Sequence, residues 1–179
     1  MLSLYLQAIS DENDRLKFKQ IYCDYKDIMF KKAYSILKSK ELSEDAVHNA
    51  FIKIIKYLPK IYKPQDEKTK WYVIVVAENE AKKIYNREHK IVQIEFKDME
   101  SNFVLEDIIE SKIEVETIKN MITELPDIYK APMSLKYYNE LSVKEIAAVL
   151  SLSTHTVYKR LERGKILLLK LLKENEIND

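Results

Sequence analysis

Leu141-Ser-Val-Lys-Glu-Ile-Ala-Ala-Val-Leu150, then Ser151-Leu-Ser153, then Thr154-His-Thr-Val-Tyr-Lys-Arg-Leu-Glu-Arg163, is the most readable stretch of this chain. Apolar residues recur at helical spacing on both sides of a three-residue break. Ser142 and Glu145 are spaced as a capping box, in which each side chain satisfies a backbone N–H of the first turn. Leu141 and Ile146 bracket that box at the spacing of a hydrophobic staple. Ile146, Leu150, Leu152, Val157 and Leu161 form one predicted buried seam, and Ala147 is small where two helices must cross closely. Ser151 stands where such turns often carry Gly, so it is expected in the left-handed region at a modest cost. Two short helices about a tight turn, the second led by polar and basic side chains, are the layout of a helix-turn-helix that enters a DNA major groove.

Ser153 is the expected cap of the second helix. It leaves Thr154, His155, Thr156, Lys159 and Arg160 near the helix start and outward, with Arg163 and Lys165 one turn later. Hydroxyls and helix-start N–H groups hold phosphates, and Lys and Arg bond guanine or phosphate oxygens. A solvated surface helix carries similar residues, so a lone basic helix would not support this reading. The capped partner helix, the small crossing residue and the turn together do.

Outward from this motif, the 179 residues hold one Gly and four Pro, which leaves little punctuation for hairpins and favours an all-α protein. Net charge is +1 and says nothing about a nucleic-acid partner, but its distribution is informative. Lys and Arg against Asp and Glu number 18 and 13 over residues 1–90, 3 and 9 over 91–125, and 9 and 7 over 126–179. Such blocks predict two small helical domains, 1–90 and 112–179, joined by an acidic linker at 91–111. Cys23 is alone, which fits a reducing compartment, and no apolar run approaches the roughly 20 residues of a membrane span. A cytoplasmic location without membrane insertion is the expectation.

Apolar spacing predicts a helix over 14–39, broken once near Cys23 to Tyr25. A second is expected from a Ser43 cap to about Leu58, stopped by Pro59, and a third from about Thr69 to Glu88. Between them, residues 59–70 form a basic loop carrying Lys60, Lys63, Lys68 and Lys70. In the C-terminal part, a helix over 112–124 and one from Pro126 to Tyr138 precede the motif pair. Cys23, His48, His89 and His155 are scattered without an orienting partner, so no catalytic constellation is expected. Asp45 and His48 could be half of a helix-bundle metal site, but no second such pair exists. No metal, cofactor or small-molecule substrate is expected.

Three segments then narrow the reading. Leu42-Ser-Glu-Asp-Ala-Val-His-Asn-Ala-Phe-Ile-Lys-Ile resembles the acid-led helix of bacterial sigma factor region 2, and Lys68-Thr-Lys-Trp-Tyr-Val-Ile-Val-Val-Ala-Glu-Asn-Glu-Ala-Lys-Lys-Ile-Tyr resembles the aromatic helix that follows it. Leu125-Pro-Asp-Ile-Tyr, with the motif pair up to Leu169, resembles sigma region 4. Their order and spacing are similar to the small two-domain sigma-70 factors of extracytoplasmic-function (ECF) type, over residues 14–90 and 112–172. The resemblance implies a region 2 helix bundle, a four-helix region 4 domain, and a non-enzymatic subunit that binds RNA polymerase core through its β′ and β subunits. It also implies recognition and melting of promoter DNA, and an anti-sigma factor as a partner.

By that resemblance Glu44, Asp45, His48, Asn49 and Ile52 form the stripe that docks on polymerase. Lys60, Tyr62, Lys63, Lys68, Lys70, Trp71, Tyr72, Asn79, Lys82, Lys83 and Arg87 meet the minus-ten element, Trp71 and Tyr72 reading equally well as core. Ser153, Thr154, His155, Thr156, Lys159, Arg160 and Arg163 meet the minus-35 element. The chain departs from the family at Glu78, where a basic residue is frequent before the Asn, at Lys83 and Asn86, and at His48 and Asn49. A stand-alone helix-turn-helix regulator, binding an operator as a dimer without polymerase, is the alternative that the motif alone permits.

Overall fold

The computed structural model describes residues 1–89 and 115–176, and the expected acidic linker at 91–111 lies outside the described residues. The chain divides into two units, Met1–Gln93 and Ile94–Asp179. Among the described residues all regular structure is helical.

The first unit contains α1 (Leu2–Gln7), α2 (Glu12–Leu37), α3 (Lys40–Tyr57), a 3₁₀ turn (Leu58–Lys60) and α4 (Glu67–Glu88). Helices α2, α3 and α4 pack on one another around Phe18, Ile21, Met29, Phe51, Ile54, Val73 and Val76, all essentially inaccessible. Ile21, Tyr25 and Met29 recur every fourth residue on the buried face of α2, so the helix runs unbroken for 26 residues through the expected break. Asp11 caps it by accepting from the Asp14 N–H at 2.9 Å.

Helix α3 begins three residues before the expected Ser43. Lys38 ends α2 in the left-handed conformation (φ 53°), which reverses the chain at once and makes Ser39 the cap. Ser39 accepts from the Leu42 N–H, and Ser43, buried in the first turn, donates its hydroxyl to the Ser39 carbonyl. Asp66 likewise starts α4 two residues early, accepting from the Thr69 N–H at 2.7 Å. Helix α1 was not anticipated: its Tyr5 ring packs on Phe18 and Phe51 at 5.4 and 5.5 Å between centroids.

The second unit contains α5 (Val115–Glu124), α6 (Asp127–Tyr137), α7 (Val143–Leu150) and α8 (Thr154–Glu176). Helix α8 packs against the other three, and Met133, Leu135, Leu141, Ile146 and Val157 are fully buried between them. Pro126 starts α6 as expected, and Tyr138 is its C-cap. The expected seam holds at Ile146, Leu150, Val157 and Leu161, but Leu152 is only half-buried because it lies in the turn, off both helix faces. The chain's single Gly is not in a turn. The three left-handed positions among the described residues are Lys38, Glu140 and Ser151, whereas Gly164 lies within α8, where it passes close to Met133 of α6.

Candidate nucleic-acid interface

In the second unit the motif is built as its residues dictate. The Ser142 N–H donates to Glu145 Oε2 at 2.9 Å and the Glu145 N–H returns to Ser142 Oγ at 3.4 Å, completing the capping box. Leu141 and Ile146, the staple, are both fully buried. Ser151 closes α7 at φ 55°, ψ 43°, the left-handed turn expected of it. Ser153 Oγ then accepts from the Thr156 N–H at 3.0 Å and fixes the start of α8.

Ser153, Thr154 and His155 are exposed there, while Thr156, Lys159, Arg160 and Arg163 are half-buried. The Thr156 hydroxyl shares a 2.7 Å hydrogen bond with Ser153 Oγ, so it is engaged in the cap. Tyr158, 59% exposed, was missed from the sequence. It lies three residues after His155 and next to Lys159, away from the buried Val157 and Leu161. That spacing was the available signal.

In the first unit, Glu44, Asp45, Asn49 and Ile52 present an exposed stripe on α3, at the i, i+1, i+5, i+8 spacing of one helix face. His48 departs from the expectation. It is half-buried, and its Nδ1 shares a 2.6 Å hydrogen bond with the Tyr5 hydroxyl. Burial, with Tyr22 adding to it, pushes that hydroxyl up to about 12, so Tyr5 stays protonated at neutral pH. His48 therefore belongs as much to the aromatic cluster around Tyr5 as to the stripe.

The loop before α4 is held from both sides. The Tyr25 hydroxyl donates to the Pro64 carbonyl at 2.9 Å, and Thr69 Oγ1 donates to the Lys63 carbonyl at 2.8 Å. Burial, followed by the nearby Asp24 and Asp66 carboxylates, pushes the Tyr25 hydroxyl above its ordinary value and keeps it a donor. Ile61 is buried and anchors the loop, leaving Tyr62 to protrude at 89% exposure with exposed Lys60, Lys63, Lys68 and Lys70 about it in sequence.

Trp71 is half-buried. Tyr72, expected equally as core or as a stacking surface, is core: it is 1% exposed with its ring 4.7 Å from that of Tyr57 on α3, which removes it from any DNA-facing set.

Farther along α4, Asn79, Lys82, Lys83 and Asn86 recur at i, i+3, i+4 and i+7 and share one face, with Arg87 exposed one residue on. Two glutamates flank Asn79. Glu80 is buried and pairs with Lys53 of α3 at 2.8 Å. Glu78 pairs with Lys32 of α2 at 2.9 Å and with Lys82 at 2.8 Å. Burial raises the Glu78 carboxyl, but hydrogen bonds and charge from Lys82 and Lys32 outweigh it and hold the group below its ordinary value.

Among the described residues there is no group of three or more His, Cys, Asp or Glu side chains able to hold a metal, and no helix long and apolar enough to cross a membrane. The arrangement suits recognition: an exposed polar helix start followed by half-buried basic residues in one unit, and a basic loop with a protruding aromatic and an Asn–Lys face in the other.

Comparison with known proteins agrees with this division. A family model described as sigma-70, region 4, matches residues 116–168, the span of the motif and the helices before it. The ECF RNA polymerase sigma factor SigW of Bacillus subtilis is 27% identical over 91% of this chain and 92% of its own length. The ECF RNA polymerase sigma factor SigM of the same organism is 27% identical over 89% and 97%, and the RNA polymerase sigma factor SigV is 25% identical over 85% and 89%. A region 4 match over the helix-turn-helix unit and similarity to ECF sigma factors running nearly end to end support placing the chain with the sigma-70 factors of ECF type.

Proposed function

We propose that this chain binds RNA polymerase core and directs it to promoters, with residues 112–179 reading a minus-35 element and residues 1–90 docking on the core and opening a minus-ten element. The single observation that carries this is the pairing of two separately built surfaces, the α8 start and the Tyr62–Asn79 face, in a chain matching ECF sigma factors along most of its length. In the second unit, Ser153, Thr154, His155, Lys159, Arg160 and Arg163, joined by Tyr158, contact the groove and its phosphates. Thr156 supports them through the cap.

In the first unit, Glu44, Asp45, Asn49 and Ile52 meet the polymerase β′ subunit, with His48 held beside them by Tyr5. Lys60, Lys63, Lys68 and Lys70 guide the phosphates. Tyr62 offers a face on which an unpaired base stacks, and Trp71, Asn79, Lys82, Lys83 and Arg87 complete the minus-ten surface. The polymerase supplies the chemistry; this chain supplies recognition and strand separation and works in the cytoplasm. An anti-sigma factor completes its partners on the resemblance alone.

The test is capture of core polymerase by the tagged chain, followed by run-off transcription on candidate promoters. Core capture with promoter-dependent transcripts is the expected result, and a folded chain that captures no core would refute the proposal. Arg160→Ala is expected to lower use of the minus-35 element several-fold while core capture is unchanged. Equal loss of both would show that Arg160 does not act at the DNA.

A further inference from the structure

We infer that Glu78, Lys32 and Lys82 form a charge mask at the edge of the minus-ten surface. In this arrangement the Glu78 carboxylate occupies two ammonium groups that would otherwise bind DNA phosphates without regard to sequence. The inference rests on the proposed promoter-opening role and adds to it a specificity residue, Glu78, and a further DNA-side cation, Lys32. Neither was singled out as a DNA contact from sequence, because Lys32 lies 46 positions before Glu78 on another helix.

The geometry is specific. Glu78 sends its two oxygens to different helices, Oε2 to Lys32 Nζ at 2.9 Å on α2 and Oε1 to Lys82 Nζ at 2.8 Å one turn along α4. It is the residue directly before Asn79, and Lys82 shares the face of Asn79 at i+3. The side chains are 39% (Lys32), 23% (Glu78) and 40% (Lys82) exposed, so both lysines reach the surface while the glutamate sits deeper between them. The lowered carboxyl keeps Glu78 ionised at all physiological pH, so the mask is permanent.

A phosphate approaching either ammonium must compete with a carboxylate already at contact distance. Sequence-independent attraction falls, and base-specific contacts around Asn79 decide which strand is held. On the other flank of Asn79 the carboxylate of Glu80 is itself buried, and its pair with the half-buried Lys53 ties α4 to α3.

The experiment uses holoenzyme assembled from the full chain and core polymerase, with a fluorescent single-stranded DNA of mixed sequence as the probe. Binding is measured as a function of salt. Each phosphate neutralised on single-stranded DNA contributes about −0.7 to the slope of log affinity against log salt. Glu78→Gln should steepen that slope by about 0.7–1.4, as one or two phosphates are added. Lys32→Gln should leave the slope nearly unchanged in the native background and reduce it by about 0.7 in the Glu78→Gln background.

Asp27→Asn, an equal charge change on another face of α2, should change neither quantity. Glu78→Ala, which removes the carboxylate without adding a donor, should reproduce Glu78→Gln and guards against a variant that folds poorly. Slopes for Glu78→Gln and Glu78→Ala equal to that of Asp27→Asn, or additive effects of Lys32→Gln in the two backgrounds, would overturn the mask while holoenzyme assembly stands. Failure of the unsubstituted chain to form holoenzyme would overturn the promoter-opening role and the mask with it.

Discussion

Gly164→Ala is the substitution for which sequence rules and packing give opposite answers. Gly164 lies inside α8 with an ordinary helical backbone, among the described residues no left-handed Gly being present. Helix propensity alone favours Ala there by about 1 kcal/mol. The crossing with α6 argues otherwise. A Cβ at this position would meet Met133 Cγ at 2.7 Å and Sδ at 2.8 Å, closer than real Cβ contacts come, and Met133 is itself completely buried. Over-packing of this kind costs about 1–3 kcal/mol.

The net expectation is a loss of about 1 kcal/mol, the over-packing cost less the propensity gain. For a unit of this size that lowers the melting temperature by roughly 4–8 °C. The two units can be followed apart, because the single Trp, Trp71, lies in the first. Gly164→Ala should shift the far-ultraviolet circular dichroism transition of the second unit and leave the Trp71 fluorescence transition in place. The decisive control is the same change in a Met133→Ala background, where the new methyl group enters space the side chain has vacated. There Gly164→Ala should stabilise. A stabilising Gly164→Ala in the native background, or the same effect in both backgrounds, would show that the close approach to Met133 does not limit this site.

Other expectations concern single groups. Ser134 is 1% exposed and its hydroxyl has no hydrogen-bond partner among the described residues, so Ser134→Ala should raise the stability of the second unit by about 1 kcal/mol in urea unfolding. Tyr62→Ala should leave the fold unchanged, since the side chain is 89% exposed, yet weaken capture of an unpaired base by about 1–3 kcal/mol, read as slower promoter opening by holoenzyme. The lowered Glu78 carboxyl contributes stability that is fully present above the ordinary glutamate value of 4.5 and lost as pH falls from there through the lowered value. Acid unfolding of the first unit, followed by Trp71 fluorescence, should therefore lose part of its pH dependence in Glu78→Gln.

Wherever structure follows from neighbours in the chain, it was legible in the sequence. The capping box at Ser142 and Glu145, the staple, the left-handed Ser151 and the Ser153 cap are all local, and each stands where its residues put it. The errors arose where two local signals competed or where a distant residue decided. Ser39 and Ser43 are both competent caps, and the left-handed Lys38, which turns the chain before Ser39, chose between them. Tyr72 is polar enough for a surface, yet Tyr57, fifteen residues earlier on another helix, makes it core. His48 falls on the outward stripe of α3 by spacing and is tied inward by Tyr5 of a six-residue helix that no periodicity announces. On α8, the exposed Tyr158 is signalled by its spacing from His155 and not by charge.

Charge is also the reason the two surfaces belong together. On the proposed function the α8 face carries three cations near the DNA, Lys159, Arg160 and Arg163, and three phosphate contacts would give a salt slope of only about −2.7 on duplex DNA. A grip of that strength fades as salt rises toward physiological levels. The minus-ten surface is restrained in its own way, with Lys32 and Lys82 already engaged by Glu78. Neither surface is built to hold DNA for long by itself. Joined in one chain and carried on polymerase, however, the second contact forms at the effective concentration set by the first, which multiplies affinity without any added charge. Weak, selective contacts in series discriminate better than one strongly basic surface would, because a mismatch at either element removes the gain from both. The modest net charge of +1 is compatible with such a grip, whereas a strongly cationic chain would bind DNA without regard to sequence.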